Sequence, residues 1–294
     1  MGTNSQGSSK KAWRVTRAVL VVLLGALLVT VAPSRQATAA SAGLVAAYAF
    51  DEGSGSTVAD ASGNGHTGTV TNPAWATTGK YGRALQFNGT SSLVSIPDAS
   101  DLHLSTAMTL EAWVNPTTVD AHWRDVVYKG NDNYYLEATS QPTTRPDGGV
   151  IAGGSYGDAY GTANLPTNTW SFITATYDGS NVRFYLNGTL VATTPHTGTI
   201  ASSTNPLTIG GDNIYGQYFA GMIDNVRVYN VALTAAQIQT DQTTAVSPPG
   251  PTYSVGGSVS GLTGTVVSWK LVVPPVAPIW AKFEQPEPLQ RSTR

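Results

Sequence analysis

The chain has 294 residues, with sixteen basic and eighteen acidic side chains, four histidines and no cysteine. The missing cysteine excludes a disulfide framework, a thiolate nucleophile and a Cys-ligated zinc, and the acidic balance disfavours nucleic acid or anionic lipid as partner. Charged residues make up 12% of the chain against 41% hydrophobic, so the hydrophobic core has to carry the stability.

Lys10, Lys11, Arg14 and Arg17 precede an apolar run from Ala18 to Ala32, and "SRQATAAS" follows with small residues at Ala37 and Ala39. That order reads as a secretory signal peptide over residues 1–39, with an uncleaved anchor as the alternative, since the run is short of the roughly twenty residues a spanning helix needs. Its removal takes five of the sixteen basic residues and none of the eighteen acids, leaving a net charge of −7. The expectation is a secreted, extracellular protein with no membrane contact after cleavage.

From Gly43 to about Tyr229 short β-rich runs alternate with Gly, Asn, Asp, Ser and Pro. Strands are predicted at 44–50, 84–87, 93–96, 108–114, 126–129, 134–139, 150–153, 171–177, 182–186, 207–209 and 222–229. Regular short strands of this kind make an all-β sandwich or barrel. "WSFITATYDGSNVRFYLNGTLVA" contains a DGSN turn and an Asn187-Gly188 pair, the signal of a type I′ turn, and so predicts three consecutive antiparallel strands. One short C-terminal helix is predicted in "ALTAAQIQTDQ", where Thr234 and Gln237 form a capping box.

The stretch "DASGNGHTG", Asp60 to Gly68, follows the first predicted strand. Asp60, Ser62, Asn64 and Gly65 match the opening of an EF-hand calcium loop, but the twelfth position is Thr71 and the flanks alternate like strands. Any ion here needs ligands from elsewhere in the chain. In "GMIDNVRVY" strict alternation puts Asp224 on the apolar face with Met222, Val226 and Val228, where a carboxylate needs a cation. The alternative is that Asp60 and Asn64 make Asx-turns and Asp224 pairs with an arginine.

Residues 246–267 read as a Pro-rich linker and the start of a truncated β-repeat, and residues 268–294 as a disordered or frame-shifted tail. The domain proper is expected over 40–245.

Six segments in order, "AYAFDEGSGSTVADASGNGHTGTV", "GRALQFNGTSSLVSIP", "MTLEAWVNP", "WSFITATYDGSNVRFYLNGTLV", "LTIGGD" and "FAGMIDNVRVYNVAL", resemble the LamG-like jellyroll family of concanavalin A-like sandwiches. The resemblance implies a two-sheet antiparallel jelly roll with its first and last strands adjacent. It also implies one structural calcium held by Asp60, Asn64, the backbone carbonyl near His66, and Asp224.

Catalytic motifs are absent from the sequence. Glu52, Glu111 and Glu137 have no second acid at i+2 or i+4, there is no G-x-S-x-G elbow, and the histidines lack metal-ligand spacing. Glu111 resembles a solvent-side residue, whereas Trp113 and Trp170 are expected in the core. Four predicted loops, "DAHWRD", "GNDNYY", "GSYGDAYG" and "GDNIYGQY", combine aromatics with amides and acids, the mixture that stacks on a sugar ring and grips its hydroxyls. His122, Trp123, Tyr135, Tyr156, Tyr160 and Tyr215 are the candidate contacts, and Tyr135 could instead point into the sandwich along its strand. The reading is a non-catalytic, calcium-containing module that binds carbohydrate or another extracellular surface ligand; a structural or adhesion spacer is the second reading and a carbohydrate-active enzyme the third.

Overall fold

The computed structural model describes residues 42–247 except 73 and 142. The expected signal peptide and tail lie outside the described residues, as does the linker beyond 247. Sixteen strands and one helix follow in order: β1 (Leu44–Tyr48), β2 (Thr57–Val58), β3 (Gly68–Thr71), β4 (Ala74–Ala76), β5 (Ala84–Asn88), β6 (Leu93–Ile96), β7 (Met108–Pro116), β8 (Arg124–Lys129), β9 (Tyr134–Thr139), β10 (Asp147–Ala152), β11 (Ser155–Tyr160), β12 (Ser171–Tyr177), β13 (Asn181–Leu186), β14 (Thr189–Pro195), β15 (Leu207–Ile209), β16 (Ala220–Tyr229) and α1 (Ala235–Thr243). They form two antiparallel eight-stranded sheets, one ordered β14-β13-β12-β7-β16-β5-β4 with β1 also paired to β16, the other β11-β10-β9-β8-β15-β6-β3-β2. This is the two-sheet jelly-roll sandwich expected.

Period-two alternation explains the layering. On β7, Leu110, Ala112 and Val114 enter the core between the sheets, together with Ile173 and Ala175 of β12 and Leu136 of β9. The opposite face of β7 is buried too: Trp113 joins Phe172, Tyr185, Tyr229, Leu233 and Ile238 in a second apolar cluster under α1. Thr234 caps that helix, and its backbone N–H donates to Gln237 Oε1 at 2.9 Å. The Asn187-Gly188 turn has φ of 49° and 73°, both positive as a type I′ turn requires.

Three expectations are corrected here. Glu111 is not on the solvent side: it shares the face of Trp113, is fully buried, and is paired in register with Arg227. Its carboxyl is pushed well above the usual range by burial and by Asp241. Trp170 stands at the margin of the second cluster, half-buried, because it precedes β12 rather than lying in it. Asp224 does not share a face with Val226 and Val228. Asn225 takes φ 50° and the β16–β7 register slips between Asp224 and Arg227, so this β-bulge puts Ile223, Val226 and Val228 in the core and turns Asp224 outward beside Trp113.

Close approach fixes Gly210 between the sheets. It has φ +81°, and a Cβ there would lie 2.1 Å from Cε1 of Phe87. Gly210→Ala is therefore expected to cost about 2–4 kcal/mol from the left-handed backbone and the clash together, lowering Tm by roughly 4–16 °C. Gly63→Ala, with φ +90° and nothing within 4 Å, is expected to show the backbone cost alone, and thermal unfolding of the two variants measures the difference.

Candidate functional site

The outer face of the second sheet has no helix over it, and its side chains follow from the register. On β9, Tyr134, Leu136 and Ala138 point into the core, so Tyr135 and Glu137 point out. Glu137 is directly opposite Asp125 of β8 and Asp147 of β10, and Asp147 is opposite Tyr160 of β11. In the next row Tyr135 is opposite Gly149, and Gly149 is opposite Asp158. Asp125, Glu137, Asp147 and Tyr160 therefore form one cross-strand row, with Tyr135 and Asp158 beside it.

A cavity of about 490 Å³ opens above these rows. Trp123, Tyr135, Tyr156, Tyr160 and Tyr215 line it, with Asp132, Glu137, Asp158 and Gln217 between them. Tyr156 and Tyr215 form its rim, being 59% and 54% exposed, while Tyr135 is 5% exposed and forms its floor. His122 lines an adjoining hollow of about 300 Å³ that shares Trp123, Tyr215 and Gln217 with the first. The structure thus brings five of the six expected contact residues to one cavity and sets the sixth next to it.

Local hydrogen bonds hold the aromatics in place. The Tyr156 hydroxyl donates to Asp132 Oδ2 at 2.8 Å, and the Tyr128 hydroxyl to Asp132 Oδ1 at 3.0 Å. The Tyr135 hydroxyl donates to Asp158 Oδ1, reaching it across Gly149, where a Cβ would come within 2.5 Å of that hydroxyl. Asp212 accepts from the backbone N–H of Ile214 at 2.6 Å and of Gln217 at 2.9 Å, which shapes the loop bearing Tyr215. Arg124 pairs with Asp120 at 2.8 and 2.7 Å and donates to the Tyr218 carbonyl at 2.8 Å, tying the Trp123 segment to that loop. One of the expected loops is largely strand, since "GSYGDAYG" contains β11, and "DAHWRD" ends in the first two residues of β8.

Sequence reading missed the acids, because partners on neighbouring strands are not visible as i+2 or i+4 spacing. Both oxygens of Asp125 and of Asp147, and Oε2 of Glu137, are buried without a hydrogen-bond partner. Burial first, then repulsion from neighbouring carboxylates, pushes the Asp125 and Glu137 carboxyls well above the usual range. Asp147 rises for the same reasons, burial first and then repulsion from Asp158. Of Glu137 and Asp147 the second is fully buried, whereas a glycosidase needs both of its carboxyls in reach of the sugar. Only Glu137 of the two reaches the cavity wall.

The residues expected to hold calcium divide between two places. Asp60 accepts four hydrogen bonds, from the N–H of Ala47 at 3.0 Å, Ser62 at 2.8 Å and His66 at 3.1 Å and from the Ser62 hydroxyl at 2.7 Å. Asn64 Nδ2 donates to the Val45 carbonyl at 2.7 Å, and the His66 carbonyl accepts from the Tyr48 hydroxyl at 2.7 Å. Asp224 instead accepts from the Tyr81 N–H at 2.9 Å and from Asn225 Nδ2 at 2.6 Å, its carboxyl pushed up to about 6 chiefly by burial. Among the described residues no group of three or more His, Asp or Glu side chains is arranged to hold a metal. Asp60, the His66 carbonyl and Asp224 accept hydrogen bonds from the chain's own donors, while Asn64 engages the chain through its Nδ2.

Two outcomes follow. Asp60→Ala removes four acceptor contacts and is expected to cost about 2–4 kcal/mol in EDTA, read by urea unfolding. The row of buried carboxyls sets a pH dependence: the folded state holds protons that the unfolded chain releases above about pH 4, so stability declines as pH rises through the raised folded values. Asp147→Asn is expected to stabilise by about 1–3 kcal/mol at pH 8 and to be nearly neutral at pH 4, as a pH series of melting curves will show.

The comparisons with known proteins agree with this architecture. A family model described as the concanavalin A-like lectin/glucanases superfamily matches residues 88–239. Domain 4 of an extracellular GH43 arabinanase from Geobacillus stearothermophilus, solved with arabinotriose, is similar at 25% identity and TM-score 0.57 over 68% of this chain and 98% of that one. The binding domain of Paraclostridial Mosquitocidal Protein 1 superposes at 16% identity and TM-score 0.57, over 68% of this chain and 52% of that one. A botulinum neurotoxin type C structure, described by its interaction with two ganglioside molecules, superposes at 12% identity and TM-score 0.53, over 68% of this chain and 50% of that one. The last two show the fold alone, and this chain spans about half of each. No curated protein matches.

Proposed function

Because the chain belongs to the concanavalin A-like lectin/glucanase superfamily, we propose that it is a non-catalytic module that binds a saccharide on the outer face of its second sheet, outside the cell. One observation carries the reading: five aromatic side chains and four amide or carboxyl side chains surround a single cavity of about 490 Å³. A pyranose or furanose ring offers C–H faces to the exposed rings of Tyr156 and Tyr215, while its hydroxyls need the bidentate partners that Asp132 and Gln217 supply. The similarity to an arabinanase domain solved with arabinotriose supports a sugar as the ligand class. The fold of the toxin binding domains supports a surface-binding role in general terms.

Hydrolysis is not part of the proposal. Glu137 and Asp147 are opposite each other on neighbouring strands, and only Glu137 edges the cavity. A glycosidase needs an acid and a second carboxylate both in reach of the scissile bond.

A structural calcium on Asp60, Asn64, the His66 carbonyl and Asp224 is a separate proposal, supported by the sequence resemblance. Binding to the native state alone would add about 2.7 kcal/mol at a hundredfold excess over Kd. Melting in EDTA and in millimolar calcium tests it, and equal Tm values remove it.

For the saccharide, titration calorimetry against a panel of neutral oligosaccharides, arabinotriose included, is the direct test. Trp123→Ala is expected to weaken the best ligand at least tenfold with little change in Tm, because the ring stands at the junction of the two hollows. Full affinity in that variant would move the site elsewhere.

A further inference from the structure

The cavity carries more acid than a neutral sugar needs. Asp132, Glu137 and Asp158 line it, while no lysine, arginine or histidine does. Behind its wall, Asp125 and Asp147 are each fully buried with both oxygens unpartnered. Ion pairs elsewhere in the described residues engage Asp98, Asp101, Asp120 and Asp178, and none of the five acids at the cavity has a basic group within 4.0 Å. Asp132, Glu137 and Asp158 thus present carboxyl oxygens to an open aromatic hollow with no ion-pair partner, and an incoming cation would favour their charged forms.

The shape of the wall says which kind of cation. No three carboxylates converge on a point as a divalent metal requires. The acids are instead interleaved with the side chains of Trp123, Tyr135, Tyr156, Tyr160 and Tyr215, and aromatic rings among carboxylates are the surrounding that suits an organic ammonium, which ring faces and charge both attract. We infer that the ligand is a glycan bearing a protonated amine, a 2-amino-2-deoxy sugar whose ammonium sits among Asp132, Glu137 and Asp158 while its ring stacks on Tyr156 or Tyr215. This rests on the saccharide reading and adds the charge of the ligand to it.

A pH dependence follows. The Asp158 and Glu137 carboxyls lie above the usual range through burial, and Asp158 is drawn back partly by hydrogen bonds with Tyr135 and Tyr160 and by His196 across the β11 strand. From β8 and β10 the facing groups are Asp125 and Asp147, and from the neighbouring loops Asp212 and Asp132. As pH falls Asp158 and Glu137 take up protons and their attraction for an ammonium declines, whereas affinity for an uncharged sugar has no such cause to change.

The experiment is calorimetric titration of the purified protein in EDTA with β-1,4-linked glucosamine trisaccharide, its fully N-acetylated counterpart, arabinotriose, and free lysine as an ammonium without a sugar ring. The expected result, at a pH where the amine is protonated, is at least tenfold tighter binding of the free-amine trisaccharide than of the acetylated one, with affinity falling as pH is lowered further. Asp158→Asn should reduce that preference, and Tyr156→Ala, an exposed rim change that leaves the core untouched, should weaken the amine sugar at least tenfold. Equal or tighter binding of the acetylated or neutral sugar overturns the ammonium assignment and leaves the saccharide site standing. Lysine bound as tightly as the trisaccharide overturns the sugar and keeps the charge, and no binding by any of the four overturns both.

Discussion

The site depends on an asymmetry of covering. Both faces of the first sheet are packed, one against the second sheet and one beneath α1, where Trp113, Phe172 and Tyr229 meet Leu233 and Ile238. The second sheet has the core on one face only, so its other face is left to the side chains that line and underlie the cavity. A half-covered antiparallel sheet can carry function without disturbing its own core, because successive residues of each strand serve the two purposes separately. On β9, Leu136 packs the sandwich while Tyr135 and Glu137, its immediate neighbours, build the cavity.

Register turns that face into a site. Asp125, Glu137 and Asp147 come from three strands and lie far apart in the chain, yet antiparallel pairing sets them side by side. Placing carboxyls this close without a basic partner works against folding, and the chain tolerates it because burial favours their uncharged forms and hydrogen bonds fix Asp132, Asp158 and Asp212 around the row. Local conflict of this sort concentrates at functional sites, since a purely structural sheet gains nothing from it. The same region collects the aromatic side chains. Charge and stacking surface are therefore offered together, and that combination is the basis for reading the ligand as a sugar, and as one carrying an amine.

The calcium question turns on a different kind of economy. "DASGNGHTG" is rich in oxygen, and in this structure that oxygen is spent on the chain itself: Asp60 gathers N–H groups from β1 and from its own loop, and Asn64 fastens the loop to the Val45 carbonyl. A turn that must reverse sharply beside an edge has unpaired N–H groups to satisfy, and a carboxylate satisfies several at once. Asp224, meanwhile, closes the Tyr81 turn from across the sheet.

Much of this was legible in the sequence, because the signals concerned are local. Alternating apolar residues located the principal strands, Asn187-Gly188 forecast the type I′ turn that the φ values show, and Thr234 with Gln237 marked the start of the only α-helix among the described residues. Aromatic residues among amides and acids drew attention to His122, Trp123, Tyr135, Tyr156, Tyr160 and Tyr215. Tertiary structure alone decided the rest. The bulge at Asn225 reversed the facing of Asp224, which strict alternation cannot anticipate once one residue takes a positive φ. Pairing of β8, β9 and β10 created the carboxyl row, and α1 buried Glu111, because cross-strand neighbours and covering layers are set by which surfaces pack, a property no single stretch of chain contains.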